Sequence, residues 1–250
     1  MYNKILKEIL LSKNNEKAQI LSRFFKTGKG QYGEGDKFLG ITVPISRKIA
    51  VKYNELPLSE VSKLIKNKYH EVRLIALLIL VHKYKYISPR SYLGETPQSI
   101  KTIWKKKKEI VDLYLSQTKY INNWDLVDLS AHYILGDYIY NNKKETKIIY
   151  KLAKSQNLWE RRIAIISTFA FIYKRESELT LAIVEKLMND KHDLIHKACG
   201  WMLREMGKRV SEKELYIFLD KYYKSMPRTM LRYAVERLSE PKRKYYLNKK

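Results

Sequence analysis

The sequence has few of the residues that form disulfides and turns, and it has no long apolar run. Its one cysteine, Cys199, excludes an internal disulfide and a cysteine-based zinc cluster. No uninterrupted apolar run approaches the roughly 18 residues of a membrane span, and the first residues lack the apolar core of a signal peptide. Only 9 glycines and 6 prolines occur in 250 residues, and strongly alternating strand patterns are hard to find. We therefore expect a cytoplasmic protein with no membrane partner.

Acidic residues are also scarce: the sequence has 26 Asp and Glu residues but 50 Lys and Arg residues. The resulting net charge of +24 far exceeds the magnitude of about 2–8 that keeps a small domain soluble. Charge of one sign on this scale is repulsive, so it favours a polyanionic partner such as nucleic acid, bound through its phosphates. A composition generally rich in lysine is the alternative explanation.

Apolar residues recur at helical spacing along most of the chain. One stripe is formed by Leu74, Leu77, Leu78 and Val81, and another by Ile163, Ile166, Ala170 and Tyr173. Short polar or proline-containing breaks separate such stripes. The pattern predicts an all-α chain with helices of about 10–18 residues.

A weak internal repeat places one anchor residue, usually a cation, near the start of successive apolar helices. Asp128, Arg161, Lys197 and Arg232 follow one another at intervals of 33, 36 and 35 residues. Arg73 precedes Asp128 by 55 residues, which an insertion over about residues 87–103 would explain. A period near 35 predicts HEAT-like helical repeats stacked as a curved α-solenoid, with the anchors along a basic concave face. We expect one domain over residues 1–240 and a frayed basic tail over residues 241–250.

Asp128 is the one carboxylate among these anchors. Trp124 precedes it by four residues, so the two side chains project from one side of a helix. The alternative is a purely structural role, in which Asp128 forms an ion pair with a neighbouring arginine or with a partner in its own helix. Gly200, just before Trp201, allows another backbone or a ligand to approach closely.

Five segments stand out in order along the chain: residues 37–44 with Arg47, then residues 123–128, 157–164, 197–205 and 230–234. Together they resemble the motifs of the AlkD-type DNA alkylation repair family of HEAT-like DNA glycosylases. The resemblance implies a monofunctional glycosylase of base excision repair. Such an enzyme hydrolyses the N-glycosidic bond of cationic N7- or N3-alkylated purines in duplex DNA, and the family is thought to do so without pulling the base into a pocket.

The resemblance also assigns individual residues. Trp124, Asp128 and Arg162 match the catalytic residues, with Arg161 as the substitute for Arg162 if the register shifts by one. Trp201 matches a second tryptophan at the sugar. The residues expected to bind DNA, from the resemblance or from the repeat, are Arg47, Arg204, Arg161, Lys197, Arg73 and Arg232. Phe24-Phe25 replaces a tyrosine-containing sequence of the family, which puts a DNA contact there in doubt.

Hydrolysis of the bond to a cationic purine requires only one carboxylate. An alkylated purine already carries positive charge, so it leaves as a neutral base without a proton donor, unlike the leaving group in sugar hydrolysis. Asp128 would stabilise the oxocarbenium and orient water. No histidine belongs to the group of Trp124, Asp128 and Arg162, so we expect no general acid.

Two other functions stay open: a non-catalytic HEAT-like module that binds nucleic acid, and a protein–protein scaffold. His192 and His196 have a spacing that suits a metal, but no third ligand accompanies them. We expect no metal, no cofactor, a monomer and, for a bacterial-type protein, association with the nucleoid. The glycine-rich segment Gly28–Asp36 is interpreted as a surface loop along DNA, and Asp125 as a cap or solvated charge.

Overall fold

The structure is a computed structural model that describes residues 1–87 and 97–248. These residues are helical or irregular and contain no strand, only an isolated bridge between Lys37 and Tyr69. The predicted all-α class is confirmed. Within the described ranges, none of the helices combines the length and apolar character needed to cross a bilayer.

By internal packing the chain divides into two compact units, Met1–Ile134 and Leu135–Lys250. The predicted single domain over residues 1–240 and the curved stack with a basic face stay predictions. The helices of the first unit are α1 (Tyr2–Leu11), α2 (Asn15–Phe24), α3 (Val43–Lys52), α4 (Leu58–Ile65), α5 (His70–Tyr86), α6 (Pro97–Ser116) and α7 (Trp124–Asp128). Those of the second unit are α8 (Asp137–Asn141), α9 (Lys147–Ala153), α10 (Leu158–Ser167), α11 (Phe169–Tyr173), α12 (Glu178–Leu187), α13 (Asp193–Arg209), α14 (Glu212–Tyr222), α15 (Arg228–Ala234) and α16 (Glu240–Asn248).

Short helical turns connect some of these helices. Two are 3₁₀ turns, Thr118–Tyr120 and Lys143–Glu145, and one is a π-helical turn, His132–Gly136. Polar N-caps set where the helices that carry predicted site residues begin. The Asn123 side chain accepts from the Trp124 backbone N–H, and the Asn157 side chain accepts from that of Trp159.

The repeat predicted from the sequence coincides with helix boundaries. Each anchor is the fourth or fifth residue of its helix: Arg73 in α5, Asp128 in α7, Arg161 in α10, Lys197 in α13 and Arg232 in α15. This common position is what repeated helical units produce. Part of the predicted insertion over residues 87–103, namely residues 88–96, lies outside the described residues.

In the second unit, the close approach of α13 and α15 requires a glycine at position 200. A side-chain β-carbon at this position of α13 would collide with the backbone carbonyl of Met230 and with the Tyr233 side chain, both in α15. The close approach expected from the sequence is therefore that of another backbone.

The C-terminus corrects one prediction. Residues 241–248 are not frayed but belong to α16, where Tyr246 is buried and its hydroxyl donates to Asp220 at 2.8 Å. Residues 249–250 lie outside the described residues. The many charges of this segment favoured a frayed tail, whereas the buried Tyr246 anchors it as a helix.

In the first unit, a buried carboxylate fixes the chain that leads into α3. Glu71 of α5 accepts three backbone N–H groups, from Leu39 at 2.8 Å, Gly40 at 2.7 Å and Ile41 at 3.1 Å. Gly40 has a φ of +81°, and a β-carbon there would collide with the Asn14 carbonyl. Hydrogen bonds to a charged group are among the stronger ones, so Glu71 holds this turn in place.

Replacing Glu71 by alanine is expected to lower the free energy of unfolding by about 3 kcal/mol, because three buried N–H groups lose their acceptor. Urea denaturation measures the change. The matched control is Glu240→Ala, which removes the exposed ion pair with Lys244 and should cost less than about 0.5 kcal/mol. Equal effects of the two substitutions would contradict this role of Glu71.

Candidate active site

Trp124 and Asp128 occupy the two ends of α7, a helix of 5 residues, and both side chains are half-buried. They line one cavity of about 500 Å³ in the first unit. Most of its wall is apolar, and its apolar lining residues include Leu21, Phe24, Phe25, Phe38, Leu74 and Leu129. The predicted pair thus lies at one recess, with a carboxylate in surroundings that strengthen its electrostatic interactions.

Aromatic side chains fix the orientation of the Trp124 ring. Phe25 packs at 5.1 Å between ring centroids with an interplanar angle of 30°, and Phe24 meets the indole edge-on at 5.9 Å. The indole Nε1–H donates to the Tyr32 hydroxyl at 3.2 Å. Phe24 is 60% exposed, so the phenylalanine pair that departs from the family pattern supplies one buried wall and one accessible ring.

A buried charged cluster, which we call the His70 clamp, lies against the same cavity and consists of Asp36, His70, Arg73 and Asp125. The His70 ring bridges two carboxylates, with Nδ1 at 3.0 Å from Asp36 and Nε2 at 2.8 Å from Asp125. Arg73 donates to the other oxygen of Asp36 at 2.7 Å and to the Asn67 carbonyl at 3.0 Å. The clamp connects the glycine-rich segment, the start of α5 and the start of α7.

The two carboxylates determine the protonation of His70. Burial alone would lower the pKa of His70, but the charge and hydrogen bond of Asp125, together with those of Asp36, outweigh burial and raise it to about 9. For Asp36, burial acts to raise the pKa, yet the hydrogen bond of His70 and the charge of Arg73 lower it below its usual value. Near neutral pH both ring nitrogens of His70 therefore donate to carboxylates.

The clamp changes the interpretation of three residues. Arg73 is buried and paired with Asp36, so its placement gives it a structural role and does not fit the predicted DNA contact. Asp125 is buried and bonded to His70, so the interpretation as a solvated charge is wrong. His70 lines the cavity beside Asp128, contrary to the expectation that no histidine lies there, but both its nitrogens are engaged.

Arg162 and Trp201 lie in the second unit. Arg162 in α10 is buried, and its Nη1 donates to the Leu194 carbonyl at 2.6 Å. Trp201 in α13 is half-buried and packs against Phe169 at 5.7 Å between ring centroids. Their predicted catalytic and sugar-contacting roles stay predictions.

The remaining predicted DNA-binding cations fall into two groups. Arg161 is bound to the buried Asp190 carboxylate, Nε to Oδ2 at 2.5 Å, and to the Ser155 and Gln156 carbonyls, so it does not fit the role of substitute for Arg162. Arg204 is paired with Glu236, and Lys197 with Asp193 at 2.8 Å. The two that are exposed are Arg47 in α3 and Arg232 in α15. Their binding to DNA stays a prediction.

A family model described as "DNA alkylation repair enzyme" matches residues 5–238. The chain belongs to this family. Its role therefore lies in the repair of alkylated DNA. Among solved structures, one titled "Predicted DNA alkylation repair enzyme from Enterococcus faecalis" aligns with a TM-score of 0.64 and 16% identity. The alignment covers 92% of this chain and 98% of that one, which supports a shared fold. A comparison with curated proteins gives no match.

Within this DNA alkylation repair enzyme, sequence reasoning missed Tyr32, His70 and the structural use of Asp36. The glycine-rich segment folds onto the site rather than lying apart from it, since Tyr32 accepts from Trp124 and Asp36 bonds His70. The only sequence signal was composition, because Tyr32 precedes Gly33 and Asp36 follows Gly35 in a segment otherwise typical of loops. No group of three His, Cys, Asp or Glu side chains in the described parts could hold a metal ion.

The His70 clamp predicts a specific pH dependence of stability. The pKa of His70 is raised to about 9 from 6.5, so the stability it contributes is complete below pH 6.5 and is lost as the pH rises through about 9. Across that window the free energy of unfolding should fall by up to about 1.4 kcal/mol per pH unit from this one group. Urea denaturation of the wild type and His70→Gln at a series of pH values measures it.

His132→Gln is the control for this experiment, because burial lowers the pKa of His132 to about 4 and places its titration on the acid side. The fall between pH 6.5 and 9 should persist in His132→Gln and be absent from His70→Gln. Parallel pH profiles for the wild type and His70→Gln would show that the clamp is not charged as described.

Proposed function

We propose that this repair enzyme is a monofunctional DNA glycosylase that hydrolyses the N-glycosidic bond of cationic N7- or N3-alkylated purines in duplex DNA. The observation that supports it most is the pair formed by Asp128 and Trp124, a carboxylate and an indole at one apolar cavity. Family membership supports alkylated DNA as the substrate.

The proposed reaction requires a negative charge near the sugar rather than a general acid at the leaving base. As the bond between the deoxyribose C1′ and the base nitrogen breaks, its electron pair moves to the base and neutralises the positive charge there. Positive charge develops on the sugar instead, and the oxygen of a water molecule then bonds to C1′ and loses a proton. Asp128 stabilises the charge on the sugar and orients the water, because a carboxylate in a largely apolar recess acts with little dielectric screening.

Trp124 gives the charged intermediate a second favourable surface. Its ring is held by Phe25 and by the hydrogen bond to Tyr32, so it needs little reorganisation when the sugar becomes cationic. The face of an indole attracts a nearby cation through its quadrupole, an interaction of about 0.5–2 kcal/mol depending on solvent exposure.

The described residues around Asp128 suit a leaving base that is already cationic. His70 is the histidine of the cavity lining, and a proton transfer from it would break a buried ion pair with Asp36 or Asp125. An engaged imidazolium is a poor general acid, because the proton is stabilised by two carboxylates. The proposed substrate class follows from this arrangement.

The alternative is a module that binds nucleic acid without catalysis. A purely binding protein gains nothing from a carboxylate facing a polyanion, since its charge repels phosphates. The retained pair of Asp128 and Trp124 therefore favours the enzyme. Arg162 and Trp201 of the second unit are proposed to contact the phosphate and sugar of the lesion nucleotide, as the resemblance implies.

The decisive variant is Asp128→Asn, which keeps the shape of the side chain and removes its charge. We expect single-turnover release of 7-methylguanine to slow by about 10²–10³, the usual loss when one preorganised electrostatic contact is removed, while binding to undamaged duplex is unchanged or slightly tighter. Chromatography of released bases measures the rate, and a filter-binding titration measures the affinity.

Asp112→Asn is the matched control, since it removes the same charge from an exposed position in α6 that is paired with Lys108 at 2.7 Å. It should release base at the wild-type rate. If Asp128→Asn releases 7-methylguanine as fast as Asp112→Asn, the catalytic role of Asp128 is refuted.

A further inference from the structure

We infer that a surface groove between α12 and α14 binds a positively charged amphipathic helix of another protein. The groove has a volume of about 380 Å³, and the residues that line it all belong to these two helices of the second unit. Neither helix carries a residue that the preceding sections place in catalysis or in DNA binding. A partner at this groove therefore goes beyond the proposed function and does not depend on it.

The two helices present the same pattern of side chains to the groove. Each contributes an acidic residue, an aliphatic residue three positions later and a charged residue seven positions later. These residues are Glu178, Leu181 and Glu185 in α12, and Glu214, Ile217 and Lys221 in α14. Positions i, i+3 and i+7 lie on one face of a helix. The groove is thus formed by two matching helix faces, each apolar in the middle and charged at both ends.

Polar contacts connect α12 and α14 at both ends of the groove. The hydroxyl of Ser177, the N-cap residue of α12, donates to Glu214 near the start of α14. In the later turns, Lys221 of α14 lies 3.5 Å from Glu185 of α12. One contact joins the beginnings of the helices and the other joins their later turns, so the helices lie side by side and run in the same direction. The groove spans about two helical turns, or roughly 10 Å.

The aliphatic side chains of the groove are not needed for the core of the second unit. Ile217 is 60% exposed, whereas Leu215 and Leu219 on the opposite face of α14 are buried. Leu181 is half-buried, while Ile183 and Val184 of the same helix are fully buried. Single exposed aliphatic residues are common, but apolar surface rimmed by charged residues is typical of an interaction site.

The charge of the groove is opposite to that of the whole chain. Three of its lining residues are glutamates and one is a lysine, although the sequence has 50 Lys and Arg against 26 Asp and Glu. The ion pair of Glu185 with Lys221 is loose and exposed. The cation that acts on the exposed Glu178, Lys143, forms its ion pair with Glu176 at 2.8 Å instead. The groove is therefore a local acidic site on a basic protein.

These properties favour one kind of occupant. An amphipathic helix lays its apolar face into an apolar groove through anchors at i, i+3 or i+4, and i+7, which is the length that this groove offers. Lysine or arginine beside those anchors would meet the glutamates at the groove ends. Nucleic acid is a poor ligand, because the glutamates repel its phosphates. A second copy of the chain is disfavoured as well, because two molecules of charge +24 repel each other.

A synthetic peptide serves as the probe. It is a helical peptide of about 15 residues made of leucine and lysine, with the leucines along one face. The control peptide has the same composition, but its leucines are distributed around the helix. We expect saturable binding of the amphipathic peptide to the wild type, one peptide per chain, and at least about tenfold weaker binding of the control, as followed by fluorescence anisotropy. Because the net charge of the protein repels both peptides alike, equal binding, or no binding of either, would overturn the inference.

Two isoleucine variants locate the bound peptide. Ile217→Ser removes the exposed anchor of the groove, and Ile20→Ser removes an isoleucine of α2 in the first unit that is equally exposed, at 63%. We expect Ile217→Ser to weaken peptide binding at least about tenfold, whereas Ile20→Ser binds as the wild type does. Circular dichroism checks that both variants are folded. Wild-type affinity in folded Ile217→Ser, or a loss confined to Ile20→Ser, would refute binding at this groove.

A charge variant tests the sign of the partner without removing apolar surface. We expect Glu178→Gln combined with Glu185→Gln to weaken peptide binding about three- to tenfold and to reduce its dependence on salt. The control combines Asp112→Asn with Glu240→Gln, which removes two exposed, ion-paired charges elsewhere and should leave the affinity unchanged. The same affinity in both double variants would show that the glutamates do not select a cationic partner.

Sedimentation of the free protein decides about the second copy. We expect the wild type and Ile217→Ser to sediment alike. A wild-type dimer that Ile217→Ser dissociates would identify the groove as a self-association face and overturn the inference. None of these measurements involves DNA or base release, so their outcome is independent of whether the proposed glycosylase activity is found.

Discussion

Two carboxylates sharing one protonated imidazole organise the candidate active site of this protein. Asp36 ends the glycine-rich segment, His70 begins α5 and Asp125 belongs to α7, so the cluster joins three parts of the chain that are far apart in sequence. Burying these charges is costly, and that cost is offset by their mutual pairing and by hydrogen bonds from Arg73 and from the backbone N–H groups of Lys37 and Leu126. None of the three segments can therefore move independently without exposing an unpaired buried charge.

The rigidity of the proposed catalytic pair, Trp124 and Asp128, depends on this cluster. Because Asp125 is fixed, the one-turn helix that carries Trp124 and Asp128 is fixed with it, and Phe25 and Tyr32 complete the support of the indole. Preorganisation of this kind is what allows a single carboxylate to lower the barrier for a cationic transition state. His70 of this cluster is bonded to Asp36 and Asp125, so the proposed reaction would be restricted to bases that leave without being protonated.

Helical periodicity was sufficient to predict the fold class and the common face of Trp124 and Asp128, because both depend on local spacing. The anchors of the repeat likewise fall at equivalent positions of their helices. Local spacing cannot show whether a cation is already paired with a carboxylate. Arg73 and Arg161 therefore fitted the pattern of DNA-binding residues, although in the structure Arg73 is paired with Asp36 and Arg161 with Asp190. The bonds of His70 span 34 and 55 residues with no periodic signal, which is why the sequence did not reveal them.

We propose that Asp128, beside a histidine whose protons are held by Asp36 and Asp125, promotes hydrolysis of the bond to a base that is already positively charged. Single-turnover release of base from matched duplexes, one containing 7-methylguanine and the other uracil, tests it most directly. We expect free 7-methylguanine, an abasic site in an uncleaved strand, and intact uracil, because general acid catalysis worth about 10²–10⁴ in rate is missing for a neutral base. Efficient release of uracil, or tight binding of the methylated duplex with no release of base, would contradict it.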